Sequence, residues 1–228
     1  MCGRFTLSHR EARVLAAELG VSVEALMDYR PRYNIAPTDS HWIVRSRFED
    51  REVLPAKWGL VNFWMIDRKQ AFKNINARAE TIQTAPSFRE AFKERRCVVP
   101  ADGFFEWTGP KDDRQPIWYH RPDGKLIYFA GLYESWLPTP GEKERTFTII
   151  TTTPNSLIEP VHNLMPVILE DAAVDDWLYT RSSSSSIMDL LRPTREDLLI
   201  ATPVSNRVNS VRNDNPDCPA PLAAQHAH

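Results

Sequence analysis

The apolar residues of this chain fall in short runs, each closed by a turn signal before it could build a long helix, and this punctuation constrains the fold. Trp42 to Arg47 and Glu52 to Leu60 read as strands joined by the charged turn Glu49-Asp50-Arg51. Cys97 to Trp107 is a strand-like run interrupted at Pro100 and Gly103. Ile117 to His120 and Leu126 to Leu132 flank Pro122-Asp123-Gly124 and predict a hairpin. Thr146 to Thr153, rich in β-branched residues, and Leu198 to Val204 add further strands.

Helices are few and short. Ser8 to Gly20 carries a capping-box pair in Ser8 and Glu11, an apolar stripe of Ala12, Leu15, Ala16 and Leu19, and a closing glycine. Ser22 opens a second short helix, Ser87 to Arg96 a third, and helix signals recur from Asp171 to Tyr179 and at Thr194. Arg30 to Asp39, with Pro31 and Pro37, reads as a loop, as does the serine run Ser182 to Ser186. Together these elements predict an α+β fold whose antiparallel sheets curl into an irregular sandwich or barrel flanked by a few helices.

A chain of 228 residues with 42% hydrophobic and 25% charged residues fits one soluble globular domain. We expect that domain to span 1–215, followed by a loose tail over 216–228 whose two histidines carry no function. The first residues lack a signal-peptide core, and no apolar run reaches membrane length, so a cytoplasmic protein without a membrane partner is expected. Cys2, Cys97 and Cys218 are odd in number and widely spaced, which implies no disulfide framework, no structural metal and no cofactor. The net charge of −2 argues against coating duplex DNA by charge alone. Residues 1–100 nevertheless hold 17 Lys and Arg against 12 Asp and Glu, leaving room for a local basic surface.

Cys2 is the most informative position. If Met1 is removed, the chain opens with an amine and a thiol on adjacent carbons, a reagent that condenses with aldehydes to a thiazolidine. With ordinary acidities, on the order of a tenth of such amines are neutral at pH 7 and a few per cent of such thiols ionised. Two-residue alternation sets Glu106 on the face of Phe104, opposite Phe105 and Trp107, where poor solvation favours the protonated acid. The same alternation over Lys73 to Arg78 puts Asn74, Asn76 and Arg78 on one polar face. His162 sits in a loop bounded by Pro160 and Pro166. Position alone also allows plainer roles: a small residue at a frayed end, an ion-paired carboxylate, a surface histidine.

Seven motifs in order carry a family resemblance: Cys2-Gly3-Arg4-Phe5, YNIAPT at Tyr33 to Thr38, WGL at Trp58 to Leu60, INARAET at Ile75 to Thr81, ADGFFEW at Ala101 to Trp107, HNLMP at His162 to Pro166, and PVSNRVNSVRND at Pro203 to Asp214. Over nearly its whole length the chain resembles the SRAP family, the SOS-response-associated peptidases. The resemblance implies that Cys2 forms a thiazolidine with the aldehyde of an abasic site in single-stranded DNA, a covalent crosslink that shields the lesion. It implies that Asn76 positions the Cys2 amine and the sugar, that Glu106 is the acid/base group, and that His162 is a second proton carrier. It casts Arg4 and Arg78 as phosphate clamps, Asn34, Ser87 and Thr151 as backbone-contact donors, and Pro37 with Trp64 as an apolar wedge that unstacks the strand. The implied protein is a monomer in the cytoplasm, nucleoid-associated when on DNA. A slow lyase reaction by β-elimination is chemically expected from the imine. Leu164 stands where the family pattern has an arginine, and Met65 where the bacterial type has a second tryptophan.

Other readings of the same residues are a thiol peptidase or autopeptidase pairing Cys2 with His162, a class II glutamine amidohydrolase, and a non-catalytic single-strand-binding module. Against the amidohydrolase, the Arg-Gly and Gly-Asp signatures of a glutamine pocket are missing.

Overall fold

Two curved sheets carry the fold, seen in a computed structural model that describes residues 2–9, 11–48, 50–139, 141–179 and 184–222. In chain order the strands are β1 (Phe5–Leu7), β2 (Arg32–Ile35), β3 (Ser40–Arg47), β4 (Asp50–Trp58), β5 (Asn76–Arg78), β6 (Arg96–Ala101) and β7 (Gly103–Thr108). They continue as β8 (Gln115–His120), β9 (Ile127–Thr139), β10 (Glu142–Thr152), β11 (Met165–Pro166), β12 (Ile168–Leu169) and β13 (Ile200–Pro203). The helices α1 (Ala12–Leu19), α2 (Arg89–Glu94), α3 (Val174–Leu178) and α4 (Ser184–Met188) are short.

The smaller sheet runs β13-β8-β7-β1-β2, antiparallel throughout. In the larger sheet, β10 pairs with both β4 and β9, so β10, β4, β3, β6 and β9 close into a ring. Closure removes the open edges that would otherwise recruit other chains. The parallel pairings are β10 with β4 and with the short β5. These sheets with few helices are the expected α+β class. No helix of the described residues is long and apolar enough to cross a membrane.

The core lies where β1 meets the ring. Phe5 is fully buried, its ring edge-on to His41, Trp58 and Phe129 at centroid distances of 4.8, 5.1 and 5.8 Å. Burying a side chain of this size contributes about 1.5–3 kcal/mol, and the edge geometry adds to it. β6 is buried on both faces, which explains why its sequence reads as a continuous apolar run.

Several local expectations lost to long-range contacts. Ser8 does not cap α1: its N–H and hydroxyl donate to Asp102 Oδ2 at 2.6 and 2.7 Å, and α1 starts after Glu11 without a side-chain cap. Gly20 does close α1, in the left-handed conformation at φ 67°. Within the expected loop Arg30 to Asp39 lies β2; its bracketing prolines withhold no ladder donor from an edge strand. β8 and β9 flank the Pro122 turn but belong to different sheets, so they form no hairpin. Asn74 ends a 3-10 turn (Arg68–Asn74) and donates to Leu60 O at 3.1 Å, leaving only Asn76 and Arg78 on a strand. The tail is docked through residue 222: Cys218 is buried with Phe105, Val204 and Val208, and Leu222 N–H donates to Pro203 O at 3.0 Å. Glu49, Ser182, Ser183 and residues 223–228, with the two terminal histidines, lie outside the described residues.

Asp102 joins β6 to β7 and accepts from the Thr6 hydroxyl as well as from Ser8, fastening β1 at its far end. The next residue has no room for a side chain: a Cβ on Gly103 would strike the Trp118 ring nitrogen and lie 2.9 Å from Tyr119 O. Gly103→Ala is therefore expected to cost about 3 kcal/mol of stability by overpacking, read as a lowered urea midpoint; an unchanged midpoint contradicts this account of the β1–β7–β8 packing.

Candidate functional site

β1 is an interior strand, with Phe5 opposite Phe104 of β7 on one side and Ile35 of β2 on the other. That registration fixes Cys2, three residues upstream, at the junction of the two sheets, fully buried. From the other sheet, Asn76 Nδ2 donates to the Cys2 carbonyl at 3.0 Å. Asn76 opens β5, which lies parallel to β10 with Asn76 opposite Ile149 and Arg78 opposite Thr151. Asn76 Oδ1 and Thr151 Oγ1 are both buried without a hydrogen-bond partner among the described residues, so this wall holds acceptor capacity the fold leaves unused.

Glu106 projects from the middle of β7 and is 4% exposed. Its neighbours follow the predicted alternation: Phe104 joins the main core, while Phe105 and Trp107 turn to the satellite core around Val204, Val208 and Cys218. Burial lifts the Glu106 carboxyl to about 7 from its ordinary 4.5, so near neutrality it can both give and take a proton. The Cys2 thiol is pushed up by burial and then by the Glu106 carboxylate, which keeps it protonated at rest. His162 shares a cleft of about 460 Å³ with Glu106, and burial pulls its imidazole down, favouring the neutral ring. His162 Nδ1 lies 3.0 Å from both the backbone nitrogen and the carbonyl oxygen of Leu164, which fixes the ring.

The remaining expected residues divide. Arg78 is exposed at the end of β5, beside Thr151. Arg4 is half-buried and committed, donating to Asn34 Oδ1 and Val208 O, both at 2.8 Å, with its guanidinium 5.6 Å from the Trp107 ring centroid. Asn34 is fully buried, and its amide donates to the carbonyls of Val208, Ser210 and Asn213 at 3.2, 3.0 and 2.7 Å. It is thus a brace for Arg4 and for the segment after β13. Ser87 is half-buried, its carbonyl accepting from Asn62 Nδ2 at 2.8 Å. Pro37 is half-buried just before Thr38, whose φ is 77°.

Trp64 is not a core aromatic but 54% exposed, among Phe63, Ile66 and Phe72 at 62%, 98% and 64%. Met65, within the same segment, is buried with Val61, Ala71 and Trp136, and its carbonyl accepts from Trp136 Nε1 at 2.7 Å. Gly59 lets the segment return on itself at φ 117°, where a Cβ would lie 2.9 Å from Ala71 O. The exposed apolar side chains therefore stand on an anchored base. Sequence reasoning missed Phe63, Ile66 and Phe72 in this cluster, though their crowding around Trp64 was a visible signal. It also missed Arg114, which lines the Glu106–His162 cleft from the β7–β8 loop and has no local pattern to reveal it.

The raised Glu106 value carries a stability consequence. Because the folded state holds this proton more tightly than the unfolded one, the protonated carboxyl stabilises fully below pH 4.5, and that contribution is lost as the pH rises through about 7. Glu106→Gln, neutral at every pH, is expected to be the more stable protein at pH 8 by roughly 3 kcal/mol and equal to the parent near pH 4.5. Urea unfolding at both values reads this, and equal stability at pH 8 would contradict the burial-driven shift.

Three comparisons converge. The family model described as SOS response associated peptidase (SRAP) matches residues 1–211. The abasic site processing protein YoqW of Bacillus subtilis (strain 168) is 37% identical over 223 residues, covering 95% of this chain and 98% of that one. The abasic site processing protein HMCES of Gallus gallus is 33% identical over 227 residues, covering 85% of this chain and 67% of that one. A crystal structure of a protein from Bacteroides thetaiotaomicron superposes with a TM-score of 0.86 at 29% identity, over 97% of this chain and all 100% of that one.

Proposed function

Because the chain belongs to the SOS response associated peptidase family, we propose that it processes abasic sites in single-stranded DNA by capturing them covalently on Cys2. What carries the reading is the pairing of a buried Cys2, its carbonyl held by Asn76 Nδ2 at 3.0 Å, with a Glu106 carboxyl lifted to about 7 beside its thiol.

Removal of Met1 frees the Cys2 amine, and the role of Asn76 in positioning that amine is supported by its Nδ2 bond to the Cys2 carbonyl and by its buried Oδ1, which has no other hydrogen-bond partner among the described residues. The neutral amine adds to the aldehyde of the ring-opened sugar, one amine proton passing to the oxygen to give a carbinolamine, and protonated Glu106 delivers its proton to that hydroxyl, which leaves as water and gives the protonated imine. Glu106, now a carboxylate, takes the thiol proton as sulfur adds to the imine carbon. The C=N electron pair returns to the nitrogen, which keeps its remaining proton, and the thiazolidine closes. An imine that is not trapped can lose the 3′ phosphate by β-elimination, so ring closure competes with a slow lyase step. His162, neutral and fixed at Nδ1 by Leu164, is the second proton carrier.

Arg78 clamps a phosphate at the β5 edge, and the Trp64 cluster with Pro37 supplies the wedge against base stacking. Thr151, its hydroxyl unused, is a contact donor at the same edge. Protein isolated without Met1 is expected to form a heat-stable adduct with an abasic single-stranded oligonucleotide, one water lighter than the two components by intact mass. Cys2→Ala removes the adduct. Glu106→Gln slows its formation by about 10²-fold. A mature protein that retains Met1, or full heat-stable trapping by Cys2→Ser, defeats the proposal, and acylation of a peptide in place of the adduct favours the peptidase alternative. Trp64→Ala is expected to weaken single-strand binding by about tenfold with an unchanged unfolding midpoint; a lowered midpoint would return this residue to a packing role.

A further inference from the structure

The β7–β8 loop brings a cation, Arg114, to the rim of the Glu106–His162 cleft. Gly109, at φ 91°, turns the chain so tightly that a Cβ there would lie 2.8 Å from Asp113 O, and Asp113 N–H donates to Pro110 O at 3.0 Å. This compact turn ends at Arg114, which lines both the cleft with Glu106 and His162 and the adjoining groove with Arg4 and Trp107.

The arginines around it are occupied. Arg4 is bonded to Asn34 and Val208, Arg207 pairs with Asp217 at 2.9 Å, and Arg32 pairs with Asp39 and Asp214. Arg114 is exposed and, among the described residues, has no hydrogen bond or ion pair. An unpaired guanidinium costs nothing to redirect toward a ligand, and its flat fork of donors suits a phosphodiester. Around the adjoining groove, Arg4, Lys111 and Arg114 outweigh Asp112 and Asp113, leaving the rim net positive.

We infer that Arg114 is a phosphate-binding residue for the strand segment leaving the Glu106–His162 cleft, so that the captured sugar is held between cations at β5 and at the β7–β8 loop. The inference rests on the proposed capture of single-stranded DNA, and it concerns binding rather than the covalent step. Arg114 positions the backbone, and the chemistry stays with Cys2 and Glu106.

Equilibrium binding isolates this role. In a Cys2→Ala background, which removes the covalent step, the affinity for a fluorescein-labelled abasic single strand is read by anisotropy from about 50 to about 200 mM salt. Arg114→Gln is expected to weaken binding about five- to tenfold and to reduce the slope of log affinity against log salt by about 0.7, the loss of one phosphate contact. Arg114→Lys should retain the slope, and Lys125→Gln, at the β8–β9 connection, should alter neither quantity. The parental affinity and slope in Arg114→Gln, or an equal loss of slope in Lys125→Gln, would overturn the assignment. If the unsubstituted protein forms no adduct at all, the capture reading fails while these binding data still decide the fate of Arg114.

Discussion

Everything at the site depends on the seating of one three-residue strand. β1 lies between β7 and β2, with Phe5 inside a cage of His41, Trp58 and Phe129 and with Thr6 and Ser8 fastened to Asp102. Chain termini usually fray, because few contacts repay the entropy of ordering them. Here the first residues are paid for by core aromatics, and the order continues upstream to a buried Cys2. Cys2 has thereby been given the positional precision of an interior residue.

The two sheets divide the labour at their junction. The smaller sheet brings Cys2, just upstream of β1, and Glu106 on the neighbouring β7, whereas β5 of the larger sheet brings Asn76 and Arg78. Because β5 rides on β10, a member of the closed ring, the wall facing Cys2 is rigid. Burial is the largest influence on the protonation states: it raises the Cys2 thiol and the Glu106 carboxyl and lowers the His162 imidazole. One low-dielectric cleft biases all of these groups toward their neutral forms.

Strand alternation made much of this legible in the sequence. The faces of Phe104, Phe105, Glu106 and Trp107 follow from a period of two, and the strand cores of β3, β4, β10 and β13 follow from short β-branched runs. Local signals failed where a distant partner competed for the same atoms. Ser8 carries the chemistry of a helix cap, yet Asp102 binds it. The Pro122 turn has hairpin residues, but turn chemistry cannot state which sheet each flanking strand will join. Arg114 has no local pattern at all, since only the fold of the loop brings it to the cleft.

The central seating of β1 also orders events during synthesis. Phe5 emerges first, but its partner Phe104 is made about a hundred residues later, so the strand cannot dock until nearly half the chain exists. Until then β1 lacks its β7 partner, and in the folded protein Cys2 is sealed from solvent. On the proposed reading, in which Met1 is removed, that removal falls before β1 pairs with β7, because the same late pairing leaves Cys2 buried.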